Sequence, residues 1–413
     1  MTIGYPFPSI TSINDVLPHI KGRDEFVVVE KEGDYTVINY VYQTPETFPP
    51  VFNEVVLAND AEFQGRRYDY DHGAAILREC RGIIFRTSTG EIIARRFHKF
   101  FNEGERQDQG LSGLELVQLE DHVIADKLDG SMITPIPVAG GIRWGTKMGV
   151  TDVALPVEEF VASRPNYVEF ATNAARIGVT PIFEWCSRRQ RIVLDYPEDQ
   201  LVLLAARWNY TGHYIPRDQL ENWGRSYDIP VVGTVPVERL FREALHEAEG
   251  VEGYVLQLRD GHMLKFKTSW YVQLHKTKEL IGREHNVAAL FLDQKIDDLL
   301  PALAAEDRAR VEEYIASLAT EIQHLNAKVH VETLRAQEIG RKEFAIASEA
   351  NAASDPRWQQ LRHLVFKCFD GKVTTADAIL NYLRKHAQTS KNWEHAKSLL
   401  LNPPSFIEFL EAA

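Results

Sequence analysis

Lys127 stands where an apolar run, Val123 to Ala125, gives way to Leu128-Asp129-Gly130-Ser131 and then to Met132-Ile133. Asp and Gly between two strand-like runs read as a tight hairpin turn. A lysine at such a strand end can serve as a nucleophile when burial or neighbouring cations destabilise its ammonium. Its candidate partners are spread along the chain. Thr180-Pro181-Ile182-Phe183-Glu184-Trp185 embeds a carboxylate in an apolar strand, where an acid needs a partner. Glu252 precedes Gly253-Tyr254-Val255-Leu256, which forms a hairpin with Met263-Leu264-Lys265-Phe266-Lys267 about the Asp260-Gly261 turn. Lys265 and Lys267 alternate with Leu264 and Phe266, so both ammonium groups face one side and repel unless an anion lies between them. Arg81, Lys99 and Lys147 supply further cations. This set suits attack on a nucleotide phosphate: cations hold the triphosphate, an acid holds magnesium and the lysine attacks.

The elements that must position these groups follow from local pattern. Ser12-Ile13-Asn14-Asp15 has capping-box spacing ahead of a short amphipathic helix. Phe26 to Val29 and Tyr35 to Tyr42 read as strands around Glu32-Gly33-Asp34. Residues 43–71, polar and carrying Pro45, Pro49 and Pro50, read as a long surface loop. Arg81 to Phe85 and Glu91 to Arg95 are strands joined at Ser88-Thr89-Gly90. The basic, phenylalanine-rich run Arg95 to Asn102 reads as core packing beside surface charge, with an anion site as the alternative. Gly141 to Gly149 returns as a strand, and Pro165 opens a helix with Tyr167, Phe170, Ala171, Ala174 and Ile177 on one face. Leu201 to Trp208 is a further strand. After Ile281 helical periodicity dominates: Val311, Ile315, Leu318, Ile322, Leu325 and Val329 form one stripe, and Thr374-Thr375-Ala376-Asp377 starts another helix. The expected division is residues 1–280 and an all-helical region 281–413.

Composition narrows the class. The 413 residues suffice for two or three domains, and 44% hydrophobic with 25% charged residues is ordinary for a soluble protein. Residues 1–13 lack a signal-peptide pattern and no apolar run reaches membrane-span length, so a cytoplasmic protein without a membrane partner is expected. Cys80, Cys186 and Cys368 lack metal-ligand spacing and read as reduced thiols. A net charge of −13 argues against broad adhesion to nucleic acid, while leaving room for a local cationic groove. Arg188-Arg189-Gln190-Arg191 is the second dense basic cluster, and such clusters are usually solvated faces.

Six ordered elements between about residues 25 and 275 resemble the covalent nucleotidyltransferase superfamily, and within it the RNA ligase family typified by bacteriophage T4 RNA ligase 1. Lys127-Leu128-Asp129-Gly130-Ser131 resembles the nucleotidyl-lysine motif, Phe183-Glu184-Trp185 the third motif and Glu252-Gly253-Tyr254-Val255 the fourth. Lys265-Phe266-Lys267 with Trp270-Tyr271 resembles the fifth. Arg81-Gly82-Ile83-Ile84-Phe85 and Lys99-Phe100-Phe101-Asn102 resemble two elements of the RNA ligase branch, and Lys147 matches a further basic position of it.

The resemblance implies an α+β chain, an antiparallel-sheet nucleotidyltransferase domain followed by a helical C-terminal domain that selects RNA. It implies an ATP-dependent ligase using Mg2+, with Mn2+ as a substitute. The substrates would be 3′-hydroxyl and 5′-phosphate RNA ends, sealed through lysyl-AMP and RNA-adenylate in RNA repair, of which tRNA repair is one form. Lys127 would be the nucleophile, with Asp129 and Gly130 shaping its turn. Lys265 and Lys267 would meet the α-phosphate, Arg81 and Lys99 the outer phosphates, Glu184 the ribose and Glu252 the metal. Lys147 and Tyr271 complete the nucleotide set. A monomer is expected, in the host cytoplasm if the source is viral.

A capping-type guanylyltransferase shares the lysine chemistry, and these motifs do not specify the nucleotide. A DNA ligase is disfavoured because Met132 stands where those enzymes usually carry arginine and because helices replace the strand-rich domain they usually append. A non-catalytic RNA-binding module is the reading from another class, weakened because no expected charged group is missing.

Overall fold

Strands β1 (Phe26–Lys31) and β2 (Tyr35–Tyr40) pair in antiparallel register across the predicted turn. Gly33 and Asp34 there both take positive φ, 97° and 62°, which suits glycine and aspartate. This computed structural model describes residues 5–55, 67–105, 121–300, 303, 305–404 and 406. The described residues fall into two units, one up to Val272 and one from Gln273 onward.

In the first unit, the stretch expected as a long loop contains a paired two-stranded ribbon, β3 (Phe52–Val55) with β4 (Arg67–Tyr70). All three prolines precede β3, so its backbone N–H groups remain available for pairing. The residues between the two strands lie outside the described set. β5 (Arg81–Arg86) and β6 (Ile92–Ala94) extend the first sheet, whose order is β1-β2-β5-β6. β7 (Phe101–Asn102) is a short strand that runs parallel to the later strand Met263–Lys267.

The segment around the key lysine departs from the hairpin expectation. β8 (His122–Lys127) and β9 (Ser131–Val138) flank Leu128-Asp129-Gly130 but do not pair with each other. With β10 (Gly141–Gly145), β11 (Val179–Cys186) and β12 (Gln200–Trp208), β9 builds a sheet of order β10-β9-β11-β12. With β13 (Gly253–Leu258) and β14 (Met263–Lys267), β8 builds another of order β7-β14-β13-β8. The turn therefore carries the chain from one sheet to a second. Local sequence cannot separate this from a hairpin, because both need a short glycine-containing turn between strands.

Each sheet has its own apolar backing. Ile124, Tyr254, Leu256, Leu258, Leu264 and Phe266 pack behind the lysine-bearing sheet. Trp144, Tyr167, Phe170, Phe183, Trp185 and Leu203 belong to the core of the other. The helix Pro165–Arg176 buries Tyr167, Phe170, Ala171 and Ala174 as expected. Ile177 is instead 53% exposed, because the helix ends before it could turn inward.

The second unit is helical among the described residues. The helix Ala305–Ile339 buries Val311, Leu318, Leu325 and Val329, with Ile315 and Ile322 partly buried beside them. Gly340, at φ 92°, separates it from Arg341–Ala352. Thr374 caps Thr375–His386, its side chain accepting from the Asp377 backbone N–H. Glu284 is a buried acid satisfied by three donors: the Tyr314 hydroxyl, Trp393 Nε1 and the Lys397 ammonium. No helix among the described residues is long and apolar enough to cross a membrane. The chain is thus α+β, mainly antiparallel sheets followed by helices.

Candidate active site

Alternation along β13 and β14 decides which side chains meet. Tyr254, Leu256, Leu264 and Phe266 face the apolar backing, so Gly253, Val255, Gln257, Met263, Lys265 and Lys267 share the opposite face. Lys127 is the register partner of Gly253, which in turn is opposite Lys267. Gly253 has φ 150°, and a Cβ there would collide with the Phe266 carbonyl, so only glycine fits.

Glu252, just before β13, is buried and joins the two lysines. The Lys127 ammonium lies 2.6 Å from its Oε1 and the Lys267 ammonium 3.4 Å from the same oxygen. Lys267 also lies over the Tyr271 ring at 5.2 Å. Tyr271 donates to Asp129 Oδ1 at 2.7 Å, and burial, then the charges of Glu252 and Asp129, push its phenol upward. Asp129 Oδ2 accepts from the Val193 and Leu194 backbone N–H groups at 2.7 and 2.6 Å. Its own N–H donates to the Tyr196 hydroxyl. Both carboxylate oxygens of Asp129 are therefore committed to holding the turn. Gly130 follows because a Cβ would strike the Trp185 carbonyl.

A cavity of about 310 Å³ opens beside this turn, within the size range of small-molecule sites. Its lining includes Arg81, Lys127, Gly130, Lys147, Glu184 and Lys265. Glu184 sits opposite Met132 on β11 and is pushed up to about 8, chiefly by burial, with the charge of Glu252 adding and that of Lys127 opposing. Lys265 is held well below its ordinary range by burial and then by Arg81, Lys127, Lys99 and Lys267. Its ammonium lies 4.7 Å from the Phe100 ring centroid. Arg81 Nη1 is buried with no hydrogen-bond partner among the described residues. Such a group favours an anion.

Lys99 is outside the cavity lining. It is caged by Tyr40, Phe48 and Phe101 at 5.2, 5.5 and 5.3 Å, and burial lowers its pKa. Tyr40 is a residue that sequence reasoning missed. Burial alone would raise its phenol, but Arg81, Lys99 and Lys147 together bring it below its usual value. No local pattern marks it; its importance comes from three cations distant in sequence.

The Arg95-to-Lys99 run is not an anion face at its start. Arg95 and Arg207 both pair with buried Glu79, at 3.0 and 2.7 Å, and Arg96 donates to the Gly82 and Gly145 carbonyls. Those arginines bind segments together. In the other basic cluster, exposed Arg188 pairs with Asp195 at 2.7 Å. The three cysteines are buried free thiols. No group of three or more His, Cys, Asp or Glu side chains forms a ready metal cage among the described residues.

The strand-end lysine, the buried acid against it and the cations around the cavity are the groups suited to attack on a nucleotide phosphate. Residues 79–271 match the RNA ligase family. That match spans just under half of the chain and makes it similar to ligases of the bacteriophage T4 RNA ligase 1 type. A Thermovibrio ammonificans protein carrying a provisional RNA ligase name is 28% identical over 349 residues, 79% of this chain and 83% of that one. RNA ligase 1 of bacteriophage TS2126 is 26% identical, over 76% of this chain and 75% of its own. An archaeal ATP-dependent RNA ligase structure aligns over 75% of this chain and 78% of its own, at 15% identity and a TM-score of 0.41.

Proposed function

We propose that the chain is an ATP-dependent RNA ligase that joins 3′-hydroxyl and 5′-phosphate RNA ends, with Lys127 as nucleophile. The observation that carries this is the Lys127 ammonium, 2.6 Å from buried Glu252, on the edge of a cavity lined by Arg81, Lys147 and Lys265.

Lys127 Nζ attacks the α-phosphorus of ATP after losing its proton, and Glu252 is the acceptor within reach. The N–P bond forms as the bond to the β-phosphate oxygen breaks, and pyrophosphate leaves. A 5′-phosphate oxygen of RNA then attacks the same phosphorus and releases the lysine. Finally a 3′-hydroxyl attacks the activated 5′-phosphate and AMP departs. Each step builds negative charge on phosphorus oxygens, which preplaced cations stabilise. Lys265 and Lys267 meet the α-phosphate; Arg81 and Lys147, with Lys99 behind Tyr40, meet the outer phosphates. Glu184 accepts from the ribose, and Tyr271 supports the turn through Asp129.

Glu252 also fits a divalent cation, since Mg2+ needs only one or two carboxylates and completes its shell with phosphate oxygens and water. Bound there, Mg2+ or Mn2+ would neutralise phosphate charge. The helical region is the part of the chain that selects the RNA, and repair of broken RNA is the physiological reading. Incubation with labelled ATP or GTP and denaturing electrophoresis tests the proposal. ATP should label the protein covalently; labelling by GTP alone would indicate a capping-type enzyme, and no label would overturn covalent chemistry.

A further inference from the structure

The pocket face of the lysine-bearing sheet is ordered in three rows set by register. Lys127, Gly253 and Lys267 form the first; Ala125, Val255 and Lys265 the second; Val123, Gln257 and Met263 the third. The third row is four residues along β13 from the first, roughly 13 Å at ordinary strand rise. That separation is comparable to the reach of a nucleoside monophosphate from phosphorus to the outer edge of its base. Cations gather around the first two rows, whereas Leu204, Val232, Val255 and Met263 give the rest of the cavity an apolar lining.

Gln257 is the polar exception in the third row. It lines the cavity, and its side-chain amide makes no hydrogen bond among the described residues. Asp126, also in the lining, belongs by alternation with Ile124 to the opposite side of β8, and its carboxylate oxygen is the atom a Cβ on Gly233 would meet at 2.7 Å. An amide carries one donor and one acceptor side by side. Adenine presents the matching pair, its 6-amino donor beside the N7 acceptor, while guanine presents two acceptors, O6 and N7, at the same edge.

We infer that Gln257 is the base-reading residue of the nucleotide cavity, pairing with the 6-amino and N7 edge of adenine and so selecting ATP over GTP. The inference rests on the nucleotide-transfer reading above and names the group that sets its nucleotide preference. With a base against Val255, the amide meets its partners in a water-poor setting. There, facing the guanine edge would leave the amide carbonyl opposed to another acceptor.

Equilibrium binding of ATP, GTP, 7-deaza-ATP and purine riboside triphosphate tests this by calorimetry on the full chain carrying Lys127→Arg, in which no covalent step intervenes. ATP should bind more tightly than each of the other three, by roughly ten- to a hundredfold where both hydrogen bonds are lost. Adding Gln257→Leu should collapse these differences, and Gln257→Lys should move the preference toward GTP, because lysine donates to the O6 and N7 acceptors. The analogues also test the inference on the unaltered glutamine, so it does not depend on either variant folding. Binding of no nucleotide overturns the ligase reading and this inference together. Tight ATP binding with an unchanged ATP-to-GTP ratio in Gln257→Leu, or with full affinity for both analogues at Gln257, overturns the role of Gln257 alone.

Discussion

At the scale of single residues, Lys127 and Glu184 make separable predictions. Lys127→Arg keeps the positive charge beside Glu252 but substitutes a guanidinium that stays protonated at any working pH. Labelling by ATP should fall to background while the thermal midpoint stays near that of the parent. Wild-type labelling of a folded variant would remove Lys127 from its role. Glu184 couples the site to stability. Its folded-state value, about 8, stands above the ordinary 4.5, so across that window the folded chain retains a proton that the unfolded chain has lost. Stability contributed by this group is complete at low pH and declines as pH rises through the window. Glu184→Gln removes the titration. Its thermal midpoint without nucleotide should exceed that of the parent by several degrees at about pH 8.5, with the difference shrinking toward about pH 5. A constant difference across that range would mean that Glu184 is not held protonated.

At the scale of elements, Asp129 is the joint between the nucleophile's turn, the loop through Val193 and Leu194, and the helix bearing Tyr271. An asparagine there keeps one acceptor oxygen but turns an amino group toward N–H or O–H donors. The expected loss is about 1–3 kcal/mol, read from urea unfolding of the full chain. Lysyl-AMP formation should slow as well, because Lys127 and Gly130 flank the loosened residue. Loss of labelling with unchanged stability would instead place Asp129 in the chemistry itself. The same joint explains why the strands on either side of the turn can enter different sheets.

For the whole molecule, all the proposed nucleotide-contacting residues lie before residue 272, and the RNA ligase family match ends at 271. A chain of residues 1–282 should therefore still take AMP from ATP. Its sealing of a structured RNA should fall far more than its sealing of a short single strand, if the helical part grips RNA away from the break. Loss of folding by the shortened chain in thermal unfolding would mean that the helices mainly buttress the first unit. A folded piece unable to take AMP would contradict both readings.

Much of the local structure was legible in the sequence because its signals are short-range. Period-two alternation placed Lys265 and Lys267 on one face, capping spacing marked the helix starts at Ile13 and Thr375, and the apolar stripe from Val311 to Val329 identified the long helix. The candidate site residues stood out too, since Lys127, Glu184 and Glu252 stand in distinctive strand contexts. Strand partnership was not. Lys127-Leu128-Asp129-Gly130 has the local form of a hairpin, and only pairing of β8 with β13 and of β9 with β11 makes it a passage between sheets. Arg95 and Arg96 look like surface charge until Glu79 and the Gly82 and Gly145 carbonyls come to meet them. Tyr40 gains its electrostatic setting from Arg81, Lys99 and Lys147, and Gln257 gains a place in the cavity from strands far from it in sequence. Periodicity and capping act over a few residues, whereas burial, charge neighbours and cavity walls are made by segments that meet only when the chain has folded.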